Sequence, residues 1–92
     1  TNFLDAIGFR YYLPALMLRE IFHKGAWLSY TLTLEEGDLQ AYRLKQWSLL
    51  NRAQRRCVKR FLKYMVAWSE EMDRGSRRKW RKALRSYWSS VE

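Results

Sequence analysis

The sequence predicts an all-α fold, a compact bundle of about four short helices with one extended segment and a C-terminal helical hairpin. Apolar side chains recur at helical spacing along the second half of the chain, with basic side chains between them. A short Gly75-Ser76 connection separates the last two periodic segments, which favours antiparallel packing. Because 48% of the 92 residues are hydrophobic, we expect residues 1–92 to fold as one helical domain.

In the N-terminal part, Pro14 predicts a boundary between two helices. Proline disfavours helical backbone in the residue before it, so we expect a first helix over residues 3–12. Pro14 then suits the first turn of a second helix, and Gly25 is a candidate for its end.

The extended segment is predicted over residues 26–34. Leucine and tyrosine alternate there with serine and threonine from Leu28 onward, and this period of two is typical of extended backbone. An acidic turn follows, in which Asp38 could cap a helix over residues 39–48.

The clearest local signal is Asn51-Arg52-Ala53-Gln54, which predicts a capping box with Asn51 as the N-cap. We expect the helix that follows to end at Gly75-Ser76, where another begins. The apolar stripe of the first of these helices comprises Cys57, Val58, Phe61, Leu62, Met65, Trp68 and Met72. That of the last comprises Trp80, Ala83, Leu84, Tyr87, Trp88 and Val91.

The segment Gly8-Phe9-Arg10-Tyr11-Tyr12-Leu13-Pro14-Ala15 resembles a small bacterial family of unknown function. Asn51 stands where that family usually has threonine, which preserves the capping chemistry. The resemblance implies a compact fold, a bacterial source and a further N-terminal part, and it implies no activity. The high positive charge departs from the family's pattern. The other matching positions are Tyr30-Thr31-Leu32-Thr33, Leu49 to Gln54, Phe61-Leu62 and Tyr87-Trp88.

Positive charge is concentrated in residues 39–92, which hold fifteen of the eighteen Lys and Arg residues but only four of the nine Asp and Glu residues. These cations could neutralise phosphates, so we expect a non-enzymatic module that binds nucleic acid or another polyanion. The simpler alternative is the solvated outer side of two amphipathic helices. However, no acidic residue lies between Leu39 and Ser69, so these cations lack opposite charges nearby in sequence. The predicted anion-binding residues are Arg52, Arg55, Arg56, Lys59, Lys63, Arg78, Arg81, Lys82 and Arg85.

Aromatic residues are candidates for base stacking if they are exposed. Tyr42 and Trp47 lie near the start of the basic region and are the better candidates. Aromatic residues at helical spacing are more often core, which is our prediction for Phe61, Trp68, Trp80 and Trp88.

A second hypothesis is a protein-interaction or homo-oligomerisation module, with an acidic protein as one candidate partner. It predicts an exposed apolar patch beside the basic face, formed by residues 9–14 or 27–34. Lipid-surface binding ranks third, because so small a domain needs its apolar faces for the core. No apolar run is long enough to cross a bilayer.

Catalytic equipment is sparse. His23 and Cys57 are the sole histidine and cysteine, and nothing in their spacing brings them together. We expect Cys57 to be an inert buried thiol, and we predict no enzymatic activity, cofactor or metal site. Glu70, Glu71 and Asp73 form an acidic patch, which we expect neighbouring Arg74, Arg77 and Arg78 to screen. A single cysteine favours a reducing, cytoplasmic location.

Overall fold

A computed structural model of the chain describes residues 6–23, 27–34, 37 and 40–91, and every regular element in these ranges is helical. The predicted all-α class is therefore confirmed. The described part measures 35 × 26 × 25 Å along its principal axes, which is compact for its length. The elements are α1 (Ala6–His23), α2 (Trp27–Thr31), α3 (Gln40–Ser48), α4 (Arg52–Met72), α5 (Arg74–Ser86) and a 3-10 turn (Trp88–Ser90).

The most extensive packing joins α4 and α5, which form the predicted C-terminal hairpin. The predicted capping box starts α4: the N–H of Gln54 donates to Asn51 Oδ1 and the N–H of Asn51 donates to Gln54 Oε1, both at 2.8 Å. The break between the helices lies at Asp73, so the boundary predicted at Gly75-Ser76 is wrong by about one half-turn. Ser76 lies in the first turn of α5, where its hydroxyl donates to Asp73 Oδ2 at 2.7 Å.

The core lies where α4 and α5 meet α3 and the 3-10 turn. Trp47, Trp80 and Trp88 are completely buried. The ring of Phe61 lies edge-on to Trp80 at 5.6 Å, and those of Trp47 and Trp88 are 5.0 Å apart. The core prediction is confirmed for Phe61, Trp80 and Trp88, whereas Trp68 is only partly buried.

Helix α1 corrects the predicted boundary at Pro14, because Pro14 lies inside one continuous helix. Proline deprives a helix of one backbone hydrogen bond. Here the buried residues Phe9, Leu13 and Met17 repeat every four positions across the proline. Their shared contact with the core stabilises a single helix, since tertiary packing supplies most helical stability in proteins.

The prediction of extended backbone over residues 26–34 is wrong for Trp27–Thr31, which form α2. Leu28 and Leu32 are both fully buried, so their four-residue spacing, and not the alternation, decides the local structure. The Leu28 N–H donates to buried Glu20 Oε1 at 2.8 Å. After α2, Leu34 is fixed to the end of α5, where its N–H donates to the Ser86 hydroxyl at 2.9 Å. The predicted helix end at Gly25 and cap at Asp38 lie outside the described residues.

Two members of the predicted apolar stripe of α4 are exposed. Met72 is 71% exposed and occupies the last position of the helix. Cys57 is also exposed, so the prediction of a buried thiol is wrong. Its neighbour Val58 faces the core with 1% exposure, and successive helical residues point about 100° apart, which turns Cys57 toward the side of the helix.

Candidate functional site

An open cationic groove of about 480 Å³ runs along α5. Its lining residues follow one side of the helix at spacings of three and four, which is why side chains from consecutive turns meet. Five of the six carry positive charge. They are Arg77, Arg78, Arg81, Lys82, Arg85 and Ser86.

Few acidic side chains compensate for this charge. Arg81 Nη2 lies 2.8 Å from Glu70 Oε1, and the two side chains are 38% and 44% exposed. An ion pair this exposed contributes only about 0–1 kcal/mol to stability. Arg77, Arg78 and Arg85 are exposed and form no hydrogen bond or ion pair with the described part of the chain. The groove therefore presents a strong excess of positive charge to solvent.

The groove brings together four of the nine predicted anion-binding residues and adds Arg77. Sequence reasoning assigned Arg77 to the acidic patch near Asp73, whereas the ion pair with that patch is formed by Arg81. The signal that identifies Arg77 is its spacing, since it precedes Arg81 by four residues and Arg85 by eight.

The predicted cations of α4 do not line this groove. Lys59 Nζ donates hydrogen bonds to the carbonyl oxygens of Val91 at 2.6 Å and Ser89 at 3.3 Å, and so holds the end of the chain. Arg55 Nη2 donates to the carbonyl oxygen of Ser48 at 3.4 Å. The remaining predicted residues of α4, which are exposed, are Arg52, Arg56 and Lys63.

Arg43 of α3 also belongs to the basic surplus but is buried. Its guanidinium lies 5.0 Å from the ring centre of Tyr30 and donates a hydrogen bond to the carbonyl oxygen of Thr31. This cation joins α3 to α2 and does not contribute to a charged surface.

The two residues predicted to stack on bases differ in exposure. Tyr42 is 42% exposed, as a stacking residue requires, and its role stays a prediction. Trp47 is completely buried against the rings of Tyr87 and Trp88, at 4.9 and 5.0 Å, so its predicted role is wrong. Trp47 was selected because it lies near the basic region in the sequence, whereas its side chain is on the core face of α3.

A second groove of about 440 Å³ lies between α1 and α4 and is lined mainly by apolar side chains. Three residues of the segment 9–14, which was predicted to form an exposed apolar patch, line this groove. Within residues 9–14, Phe9 and Leu13 are buried, whereas Tyr11, Tyr12 and Pro14 are exposed. The lining residues are Arg10, Leu13, Pro14, Met17, Leu18 and Ile21 of α1, Leu50, and Gln54, Cys57, Val58, Arg60, Phe61 and Tyr64 of α4.

The candidate catalytic pair from the sequence is His23 and Cys57. The side chain of His23 lies outside the described residues, so its predicted separation from Cys57 is not tested. Within the described ranges, no three His, Cys, Asp or Glu side chains lie close enough to hold a metal ion. The described helices include none with the length and apolar character required to cross a membrane.

Comparison of the chain with curated proteins and with solved structures gives no significant match. A profile of a protein family does match, and it covers residues 1–92. The family resemblance predicted from the sequence is thereby confirmed, and the chain belongs to the family of unknown function DUF6714.

Proposed function

We propose that this protein is a non-enzymatic binding module that engages a polyanion, with nucleic acid as the favoured ligand, through the basic faces of its last two helices. The observation that carries the proposal is the α5 groove, where five cationic side chains line one surface. Three of the exposed cations of α4, Arg52, Arg56 and Lys63, would extend the contact.

The electrostatics of α5 support an anionic partner. Arg74, Arg78 and Lys82 follow one another at four-residue spacing, and so do Arg77, Arg81 and Arg85. Each like-charge pair at this spacing destabilises a helix by roughly 0.2–0.5 kcal/mol. An anion in the groove would relieve the repulsion, and displacement of condensed counterions from a nucleic acid would favour the complex further.

The dimensions of the groove also suit a phosphate backbone. From Arg77 to Arg85 the helix rises about 12 Å. This length corresponds to the axial rise of roughly three to four nucleotides of one DNA strand. Contacts of this type bind the backbone without reading sequence. Exposed Tyr42 is the candidate for stacking on an unpaired base.

Filter binding of a single-stranded oligonucleotide over a salt series tests the proposal. With four to five phosphates neutralised, the plot of log K against log salt should have a slope of roughly −3. Replacement of Arg78 and Arg85 by Gln should reduce the steepness of that slope by about 1.4. The matched control is Arg19→Gln with Lys45→Gln, which removes the same charge from exposed positions of α1 and α3.

Two results would contradict the proposal. No affinity at low salt would exclude polyanion binding. Equal losses in the two double variants would show that net charge, and not the α5 groove, determines binding.

The predicted bacterial source and cytoplasmic location are part of the same proposal. The sole cysteine, Cys57, is exposed, and a reducing compartment would keep an exposed thiol from forming disulfides between molecules.

A further inference from the structure

We propose that the groove between α1 and α4 is a docking site for an acidic amphipathic helix of a partner protein. This inference does not depend on polyanion binding, because the two grooves share no lining residue.

The walls of the groove have the length of a short helix. On α1 the lining extends from Arg10 to Ile21, a rise of about 16 Å, and on α4 it extends from Gln54 to Tyr64, about 15 Å. Either wall matches roughly three turns of a docked helix. A trough lined by apolar side chains of two helices is a usual receptor for apolar anchors at helical spacing.

The floor and rim of the groove favour a helix over a small apolar ligand. The floor is formed by buried Leu13, Val58 and Phe61, whereas Leu18 and Tyr64 at the rim are 56% and 47% exposed. Sites for small molecules usually bury about 70–90% of the ligand surface, and the exposed residues at this rim disfavour burial of that extent. A helix brings satisfied backbone hydrogen bonds and its own polar outer side, so it can close such a groove while remaining partly in solvent.

Charge identifies the kind of helix. Arg10 and Arg60 are the two charged residues in this mainly apolar lining. Both are exposed and form no hydrogen bond or ion pair with described residues. Carboxylates beside the apolar anchors of a docked helix would pair with them. A second copy of this chain is disfavoured as the occupant, since each copy carries a formal charge of +9.

Helix α1 also exposes aromatic side chains outside the groove lining. Phe22 and Tyr11 are 75% and 77% exposed, and neither lines the groove. Exposed apolar side chains on a helix that also lines an apolar trough are typical of an interaction surface.

Cys57 supplies a reporter for the test, because it is the sole cysteine, is exposed and lines the groove. The probe is a synthetic helix of about fifteen residues with leucines at the first, fourth, eighth and eleventh positions and glutamates beside them. Two control peptides carry lysine in place of glutamate, or the same composition in scrambled order. Binding is measured by fluorescence anisotropy, and occupancy of the groove by the rate at which a neutral maleimide modifies Cys57.

We expect the acidic helix to bind and to slow modification of Cys57 several-fold, and the two controls to bind at least about tenfold more weakly. Leu18→Glu should raise the Kd by about tenfold or more, whereas Leu44→Glu, a similarly exposed position on α3, should leave it unchanged. Exchange of Arg10 and Arg60 for Glu should transfer the preference to the lysine peptide.

Several results would overturn the inference. The acidic helix could fail to bind, all three peptides could bind equally, or binding could leave Cys57 unprotected. Dodecanoate represents a small apolar ligand, and protection of Cys57 by dodecanoate but not by the helix would also contradict the inference. An oligonucleotide provides the comparison with the polyanion proposal, since it should bind without protecting Cys57. Loss of oligonucleotide binding with retention of peptide binding would contradict only that earlier proposal.

Discussion

The basic residues of α4 and of α5 are alike in type and spacing but differ in what they contact. On α4, Lys59 and Arg55 donate hydrogen bonds to backbone carbonyl oxygens of the same chain. On α5, Arg77, Arg78 and Arg85 form no ion pair with the described part of the chain, and Arg81 pairs with Glu70. Equal sequence patterns have therefore produced an internal brace on one helix and an outward-facing charged surface on the other.

The difference arises from the groups within reach. The carbonyl oxygens at the end of a helical segment lack intrahelical partners, and cationic side chains are suitable donors for them. The 3-10 turn and its following residue, Val91, place such carbonyl oxygens beside Lys59. No described backbone carbonyl accepts a hydrogen bond from Arg77, Arg78 or Arg85, and so their charge remains available to a partner.

The largest loss of stability is expected from substitution of Arg43, which is a buried cation. Arg43→Met should lower the free energy of unfolding by about 2 kcal/mol, because it removes a charged hydrogen bond to Thr31 and the contact with the Tyr30 ring. Urea unfolding followed by tryptophan fluorescence measures the change. Lys45→Met on the exposed side of the same helix is the control and should be nearly neutral. Equal effects would contradict the distinction between internal and surface cations.

Substitution of two lysines of α4 should change the free energy of unfolding by different, smaller amounts. Lys59→Met removes the donor to Ser89 and Val91 and should cost about 1 kcal/mol. Lys63→Met, one turn further along and exposed, should change stability by less than about 0.5 kcal/mol. Amide hydrogen exchange near residue 91 should also accelerate in the first variant alone. If both variants behave alike, Lys59 does not brace the C-terminal segment.

Local chemistry made the second half of the fold predictable from sequence. The Asn51–Gln54 capping box and the stripe containing Val58 and Phe61 depend on residues close together in the chain, and both were identified correctly. The predictions at Pro14 and over Trp27–Thr31 were wrong because burial against segments distant in the sequence decides which of their residues face the core. The Trp88 Nε1–H, for example, donates to the carbonyl oxygen of Leu32 at 2.9 Å across fifty-six positions.

The candidate site was predictable in charge but not in geometry. Composition shows which residues are cationic, and helical phase places them away from the core. Neither reveals that Lys59 reaches a carbonyl oxygen or that Trp47 enters the core. The α1–α4 groove was hidden for a related reason, since its two walls come from segments that are remote in the sequence.

The smallest predicted effect is a gain in stability, and it tests whether the cations of α5 repel one another. Arg78→Gln removes the like-charge repulsion of residue 78 with Arg74 and with Lys82, each four positions away. The substitution should therefore raise the free energy of unfolding by roughly 0.4–1 kcal/mol at low salt. Gln and Arg have similar helix propensities, so the charge accounts for the change. Urea is the appropriate denaturant because it leaves ionic strength unchanged.

The gain in stability should fade at about 0.5 M salt, where screening limits charge interactions to a few ångströms. Arg19→Gln is the control, since no charged residue lies four positions before it and only His23 lies four positions after it. A loss of stability in Arg78→Gln would instead assign this arginine an internal role like that of Lys59. A gain that disappears with salt would mean that α5 keeps its repulsion in the free protein, where a bound anion could relieve it.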